Sequence, residues 1–301
     1  MRVLATRKTP LTLALSLRGE GIATDKDKKR KVKIMRKILL GMMAGALCAG
    51  SATLVLATPS TQIWIPSTDI QPFNVWHLGL DNYLRASDVS HFTAGQRDPN
   101  IYDAGLTVGI LPFNAVQAEV GADYLVNGTP YDGKPFYFNA KVAMPEGTIY
   151  TNSVGLNSPA LAVGGYNFGT DSKKNSATRT DQNIVYGEVG QTLPAFGAIH
   201  SLGRFSVGYY SGNKDVLLGT DGKAANDGIL ASWDRTMSEI SDKLWFAVDY
   251  MGGGNVNSGV SLGLSWAFSK NVSVIFGYDM WDKPALAGAN TFTTQLDINF
   301  P

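Results

Sequence analysis

The side chains in this sequence that could most readily take part in catalysis are its three histidines, His77, His91 and His200. An imidazole can act as a general base when a carboxylate orients it and a nucleophile or a water molecule lies within hydrogen-bond reach. His91 lies between Asp88 and Asp98 in a polar stretch, so a carboxylate and an imidazole could activate water there for hydrolysis. A solvated loop histidine without a catalytic role accounts for the same pattern, and we favour that interpretation.

Signatures of metal and cofactor binding are missing from the sequence. It contains no His-Glu-x-x-His pattern, and Cys48 is its single cysteine, so it has neither a cysteine pair nor the Cys-x-x-Cys-His pattern of haem attachment. The loop at residues 221–227 is rich in Asp and Asn but lacks the spacing and the terminal Glu of a calcium-binding loop. We therefore expect no metal and no cofactor.

A larger group of charged residues recurs at alternate positions of short segments. Successive side chains of a β-strand point to opposite faces, so these charges would share one face of a sheet while apolar residues cover the other. If the sheet closes into a barrel, the carboxylates line the lumen, where they attract cations and repel anions. The charges could instead pair across a narrow lumen and fill it, and the sequence leaves both alternatives open. The residues predicted to line the lumen are Asp81, Asp103, Glu119, Asp123, Lys141, Glu188, Arg204, Asp234, Asp249, Asp279 and Asp297.

The elements that must position these charges are about twelve segments of roughly ten residues that alternate between polar and apolar residues from position 76 onward. The clearest is residues 291–300, where Phe292, Leu296 and Phe300 share one face. The least clear is residues 159–169, which are nearly all small or apolar. The pattern predicts an all-β fold, an antiparallel transmembrane β-barrel of about 12 strands.

The connections between these segments support a barrel over a soluble sandwich. Tight turns are predicted around residues 112–114 and 269–271, while long polar connections follow the first, fifth and seventh segments, at residues 86–100, 170–181 and 212–227. Short periplasmic turns that alternate with long outer loops are typical of outer-membrane barrels. Outward Tyr, Trp and Phe also sort toward the two ends of the strands, as they do at membrane interfaces.

Inward glycines such as Gly109, Gly263 and Gly277 carry two alternative interpretations. They would leave free space in the lumen, which favours a narrow solute channel. They would equally serve the curvature and tilt of the strands.

Residues 35–57 have the organisation of a secretory signal peptide, since two basic residues precede an apolar run that ends in small residues at Ala57. We predict that residues 1–34 are an upstream extension and that residues 58–301 form the mature barrel. The alternative is an uncleaved helix that anchors a periplasmic domain, because about 20 apolar residues can span a bilayer.

The charge of the chain is divided unevenly. Residues 1–57 hold 12 of the 26 Lys and Arg and 3 of the 25 Asp and Glu, which leaves 14 basic and 22 acidic residues in positions 58–301, a formal charge of −8. Because nucleic acids are bound chiefly through Lys and Arg, an acidic body disfavours a nucleic-acid partner.

The last segment, TFTTQLDINF, ends in the aromatic Phe300 and resembles the C-terminal strand by which outer-membrane barrels are recognised for assembly. Pro301 follows it, a departure from the usual terminal aromatic. Together with the signal segment and the alternating strands, this strand makes the chain resemble a porin-like family of bacterial outer-membrane β-barrels. The resemblance implies a Gram-negative outer-membrane location, contact with outer-membrane lipid and a barrel-assembly machinery as partner, and it names no substrate.

Three functions are compatible with these predictions. The one that we favour is a channel for passive diffusion of small hydrophilic solutes or cations. A plugged structural barrel that acts through its surface loops is the second. An outer-membrane hydrolase is the third and least favoured, because barrels that resemble the outer-membrane phospholipases place His and Ser two residues apart and no His-x-Ser occurs here. We therefore expect that the protein is not an enzyme.

Overall fold

A computed structural model describes residues 61–87, 97–151, 156–176, 178–194 and 201–301 of the chain. The predictions about the upstream extension and the signal segment lie outside these residues, as do Asp88, His91 and His200. Among the described residues, no helix is long and apolar enough to cross a membrane.

Within these ranges the chain forms twelve antiparallel strands, joined in sequence order. A one-turn 3-10 helix (Pro130–Gly133) and a one-turn helix α1 (Pro284–Ala287) lie in two of the connections. The strands are β1 (Trp76–Arg85), β2 (Ile101–Gly109), β3 (Gln117–Val126), β4 (Phe136–Met144), β5 (Ala160–Gly169), β6 (Asp181–Leu193), β7 (Gly203–Ser211), β8 (Asp227–Thr236), β9 (Leu244–Met251), β10 (Gly259–Ser269), β11 (Val272–Trp281) and β12 (Thr291–Phe300).

The sheet closes because β1 pairs with β12, from Trp76 opposite Phe300 to Arg85 opposite Thr291. Closure gives every strand two neighbours and removes the exposed edges of an open sheet, which is the condition for a sheet to span a bilayer. The predicted fold class is therefore confirmed.

The outer face of the barrel is apolar along the strands. Side chains such as Val163, Phe276 and Phe292 are 58–67% exposed, whereas inward residues such as Asp249 and Asp279 are at most 1% exposed. A continuous apolar outer band with polar residues inside is the surface of a transmembrane barrel in a bacterial outer membrane. Further exposed apolar side chains on this face are Leu80, Leu84, Leu106, Val120, Val142, Val185, Phe205, Val207, Ile229 and Leu264.

The two ends of the barrel differ in their connections. The connections β1–β2, β5–β6 and β7–β8 are long, and we name the end where they lie the outer end. At the opposite, periplasmic end, β10 and β11 are joined by Lys270 and Asn271 alone, whereas the β4–β5 connection at this end, residues 145–159, is as long as the β1–β2 connection.

Strand β5, the least clear of the predicted strands, forms with two irregularities. The β4–β5 register shifts between Phe138 and Ala140, and the β5–β6 register shifts between Tyr166 and Phe168. Between the latter two, Asn167 has a φ of 55°, in the left-handed region. These shifts change which side chains face inward, which accounts for the poor alternation of this segment.

One element was not predicted: residues 61–75, which precede β1, enter the lumen of the barrel, and we name them the inserted segment. Residues 61–66 form a tight turn, in which the Gln62 N–H donates to the Ile65 carbonyl at 2.8 Å and Thr61 bridges to Pro66. The chain then runs to the periplasmic end, where Phe73 bridges to Gly109 before β1 begins.

An apolar core lies inside the outer half of the lumen, not under a sheet face as in a soluble domain. Ile65 of the inserted segment is fully buried in it, and Leu217 of the β7–β8 loop folds in from the outer end. Trp64 packs edge-on against Tyr83 and Trp281, with ring centroids 5.5 and 4.8 Å away. The other buried members are Ile184, Tyr186, Tyr210, Leu230 and Met251.

Candidate functional site

The structure places the residues predicted to line the lumen on the inner face of the barrel, and they divide into two groups. Glu119, Lys141, Arg204, Asp234 and Asp249 contact the inserted segment or a residue bound to it. The other group consists of Asp81, Asp103, Asp123, Glu188, Asp279 and Asp297. The part that either group plays in transport stays a prediction.

Asp249 on β9 is an anchor for the turn of the inserted segment. Its Oδ2 atom accepts hydrogen bonds from three consecutive backbone N–H groups, those of Ile63 at 2.8 Å, Trp64 at 2.9 Å and Ile65 at 3.4 Å. Successive N–H groups that converge in a turn form a concave site for an anion. Asp249 is 1% exposed, so this carboxylate is used to hold the segment and is shielded from a passing solute.

A second anchor is an ion-pair network at the periplasmic ends of β7 and β8. Arg204 donates from Nη1 and Nη2 to the two carboxylate oxygens of Asp69, at 2.5 and 2.8 Å, and from Nε to Asp234 at 3.0 Å. Gln62 donates to the same Asp234 at 2.8 Å. Burial alone would raise the pKa of Asp69, but the Arg204 charge and its hydrogen bonds outweigh it and hold this pKa below its usual value.

A third set of contacts holds the segment to β3 and β4. The Gln71 N–H donates to Glu119 Oε2 at 2.7 Å, and Lys141 Nζ donates to the Ser67 carbonyl at 3.4 Å. Lys141 and Glu119 are themselves paired at 3.1 Å, and both are nearly fully buried.

Inward glycines provide the space that the inserted segment occupies. A Cβ atom on Gly109 would lie 2.0 Å from the Pro72 carbonyl oxygen, far inside contact distance. Cβ atoms on Gly263 and Gly277 would lie 3.1 and 3.3 Å from the Ile63 side chain. At these positions the space left by glycine is filled by the chain itself.

A cavity of about 210 Å³ remains along β1 to β6, and we name it the acidic cavity. Its lining extends from His77, near the periplasmic end of β1, to Leu125, near the outer end of β3. Asp81, Asp103 and Asp123 line it, and Asn139 donates to Asp123 at 2.8 Å.

A second cavity, of about 470 Å³, lies at the periplasmic end between β6 and β11, and we name it the periplasmic cavity. Positive and negative side chains line it in equal number, with the arginines and lysine Arg204, Arg235 and Lys243 against the aspartates Asp69, Asp234 and Asp242. Thr61 lines both cavities, while Pro66 faces the acidic one and Asp69 the periplasmic one. The inserted segment therefore lies between the two cavities.

Two further inward carboxylates accept hydrogen bonds from the wall of the barrel. Asp279 accepts a hydrogen bond from the Thr291 hydroxyl at 2.6 Å, and Asp297 accepts one from Ser273 at 3.1 Å. His77 lies 3.5 Å from Asp297 and 2.8 Å from the Asn299 side chain, which identifies it as a histidine of the inner wall.

The candidate hydrolytic group is covered only in part by the structure. His91 and Asp88 lie outside the described residues. Asp98, the other carboxylate considered, is 2% exposed and accepts a hydrogen bond from the Ala289 N–H at 2.8 Å, so it already serves the β11–β12 connection. Among the described residues, no three His, Cys, Asp or Glu side chains are grouped so as to hold a metal ion.

No protein-family model and no curated protein matches the chain. Among solved structures it is similar to the NanC porin, with a TM-score of 0.42 and 10% identity, over 74% of this chain and 99% of that one. It is also similar to an outer-membrane channel from Pseudomonas putida F1 (TM-score 0.41, 9% identity, 77% of this chain and 97% of that one). Outer-membrane phospholipase A from Escherichia coli gives a TM-score of 0.41 and 10% identity, over 77% and 98% of the two chains. Because these TM-scores are below 0.5, the fold is assigned from the strand pairing described above and not from the similarity. The closed sheet and the apolar outer surface of the chain identify it as a bacterial outer-membrane β-barrel.

Proposed function

We propose that this barrel is a channel for passive diffusion of small hydrophilic solutes, with a preference for cations. The observation that carries the proposal is the acidic cavity, which follows the wall from the periplasmic third of β1 to the outer ends of β2 and β3. A barrel built only as a scaffold has no need for an elongated cavity lined by carboxylates beside its wall.

The charge of this cavity supports cation preference. Asp81, Asp103 and Asp123 line it, whereas the Lys141 ammonium that also lines it is already bound to Glu119. Carboxylates between low-dielectric walls concentrate the field, raise the local concentration of cations and repel anions.

A plugged barrel that acts through its surface loops is the second candidate, and the inserted segment favours it. Ile65 of the segment and the apolar core around it occupy the outer half of the lumen beside β6 to β9. In that case the loops at the outer end would carry the function, and the wall carboxylates would serve only to hold the segment. The interaction of the C-terminal strand with an assembly machinery is part of either proposal.

Planar-bilayer recording with a salt gradient separates the two candidates. Channel function predicts a steady cation-selective current that becomes less selective when Asp81, Asp103 and Asp123 are all replaced by Asn. The matched control is Asp221→Asn, since Asp221 is an exposed loop carboxylate whose side chain is 60% accessible. A folded, heat-modifiable barrel that passes no current would overturn the channel proposal.

A further inference from the structure

The two parts of the inserted segment are held in the lumen in different ways. The turn at residues 61–66 combines the three N–H bonds to Asp249 with side chains that are almost completely buried, Ile63 at 1% and Ile65 at 0% exposure. Its carbonyl groups are used as well, because Gln295 on β12 donates to the Ile63 carbonyl at 2.8 Å. The turn is therefore fixed by both apolar packing and hydrogen bonds.

Residues 67–72, which we name the strap, are held mainly by polar contacts. Asp69 pairs with Arg204, and backbone groups of Ser67 and Gln71 bind Lys141 and Glu119. On one side of the strap, Asp69 lines the periplasmic cavity, and on the other the strap binds Glu119 and Lys141, which line the acidic cavity.

Where the strap meets β6 and β7, several buried polar atoms lack hydrogen-bond partners. Thr68 Oγ1, Ser206 Oγ and both carboxylate oxygens of Glu188 are buried, and none of them has a hydrogen-bond partner among the described residues. Thr68 and Ser206 are in close proximity, since the hydroxyl oxygen of each lies 2.8 Å from the Cβ position of Gly190. A buried polar group without a partner costs free energy, so these four atoms oppose docking of the strap.

Both ends of the strap are fixed. The turn anchors one end, and at the other the Asn74 N–H donates to the Gly109 carbonyl at 2.8 Å. Asn74 has a φ of 59°, a conformation that few residues other than glycine adopt, and it marks the bend between the strap and β1. Lifting of the strap therefore breaks the Asp69–Arg204 pair and the bonds to Glu119 and Lys141, while the turn and the Asn74 end stay in place.

We propose that the strap is a gate, which separates the acidic cavity from the periplasmic cavity when docked and connects them when it lifts, while the turn stays bound to Asp249. The proposal rests on the channel function argued above and adds the element that controls it. Conduction is then a property of the minor, lifted state of the strap.

A disulfide between Thr68→Cys and Gly190→Cys would lock the gate. The Cβ position of Gly190 lies 2.8 Å from Thr68 Oγ1 and 3.2 Å from Thr68 Cγ2, the two places where a cysteine sulfur would stand. A disulfide with an S–S bond of about 2.05 Å requires about 3 Å between a Cβ and the opposite sulfur. Ser206→Ala removes the hydroxyl beside the bridge, and Cys48→Ala removes the native cysteine from this background.

Currents through the cross-linked barrel in planar bilayers are compared before and after addition of a reductant. The proposal predicts a conductance several-fold lower in the oxidised protein, restored by reduction, with no response in the two single-cysteine variants. An oxidised barrel that conducts as well as the reduced one would overturn the gate and leave the channel proposal standing.

Thiol labelling tests the gate without reference to current. In the Cys48→Ala background, a hydrophilic maleimide should label Thr68→Cys in the folded barrel and spare Ala247→Cys, because Ala247 is fully buried beneath Ile63 of the turn. Protection of both cysteines would show a fixed strap, and labelling of both would show release of the whole segment; either result overturns the proposal. A silent barrel with the expected labelling would refute the channel function while retaining a strap that lifts.

Discussion

The acidic cavity and the periplasmic cavity lie in one lumen but balance their charges differently. In the periplasmic cavity, Arg204 is bound on one side to Asp69 and on the other to Asp234. In the acidic cavity, Asp81, Asp103 and Asp123 form no ion pair with a lysine or arginine among the residues that the structure describes. The inserted segment therefore does more than fill space, since its Asp69 supplies a second carboxylate to Arg204, whereas the three aspartates of the acidic cavity have no such cation beside them.

The largest effect is expected from reversing charge in the acidic cavity. Asp103→Lys combined with Asp123→Lys places two cations where two carboxylates stand, so the permeability ratio of cations to anions should fall by about tenfold or more. Reversal potentials in a salt gradient measure this ratio. Asp242→Lys in the periplasmic cavity is the control, and an equal effect there would mean that the two cavities do not differ in their influence on ions.

Loss of the arginine should destabilise the periplasmic side strongly. Arg204→Met leaves the carboxylates of Asp69 and Asp234 partly buried without their cation, which should cost about 2–4 kcal/mol of unfolding free energy. Urea-dependent folding of the barrel in lipid vesicles measures the loss. Addition of Asp69→Asn to Arg204→Met should recover part of it, and the absence of any recovery would contradict the pairing.

A smaller loss is expected at the anchor of the turn. Asp249→Asn keeps an oxygen that can accept from the Ile63 and Trp64 N–H groups but removes its charge, which should cost about 1–2 kcal/mol. The matched control is Asp279→Asn, whose carboxylate accepts from the Thr291 hydroxyl and does not contact the segment. Protease sensitivity of the inserted segment should rise in the first variant only; a rise in both would mean that the anchor is not specific to Asp249.

The smallest effect is expected when alanine replaces a glycine that contacts the inserted segment, compared with the same replacement at a glycine that faces free space. A Cβ on Gly263 would lie 3.0 Å from the Phe276 carbonyl and 3.1 Å from Ile63, whereas one on Gly79 in the acidic cavity would meet no atom closer than 3.6 Å. We expect Gly263→Ala to destabilise by about 1 kcal/mol and Gly79→Ala to be close to neutral. The same urea titration checks both, and equal values for the two would refute the assignment of these spaces.

The barrel could be predicted because its determinants are local. Alternation along each strand, such as that of residues 291–300, reports directly which face meets lipid and which meets the lumen. Asp249 and Asp279 could be predicted to face inward from the alternation within their own strands, without knowing which residues they contact. Strand β5 was the exception, because its register shifts near Asn167 break the alternation that the prediction depends on.

The partners of the inward charges could not be predicted from the same pattern. The inserted segment has neither helical nor strand periodicity, so nothing in its sequence indicated that Ile63 and Ile65 would be buried inside the barrel. Its contacts are made with residues far along the chain, as when Gln62 binds Asp234. For the same reason Gly263 was open to the two interpretations of free space and strand curvature, when its structural role is to admit Ile63.

The seam between β1 and β12 has a consequence for the order in which the chain can fold. It joins the two termini of the barrel, so it is the pairing with the greatest sequence separation, and contacts of that kind form slowly because a long loop must close first. The turn of the inserted segment binds β9 and β12 on the far side of that loop. The turn therefore cannot reach its final position until the last strands exist.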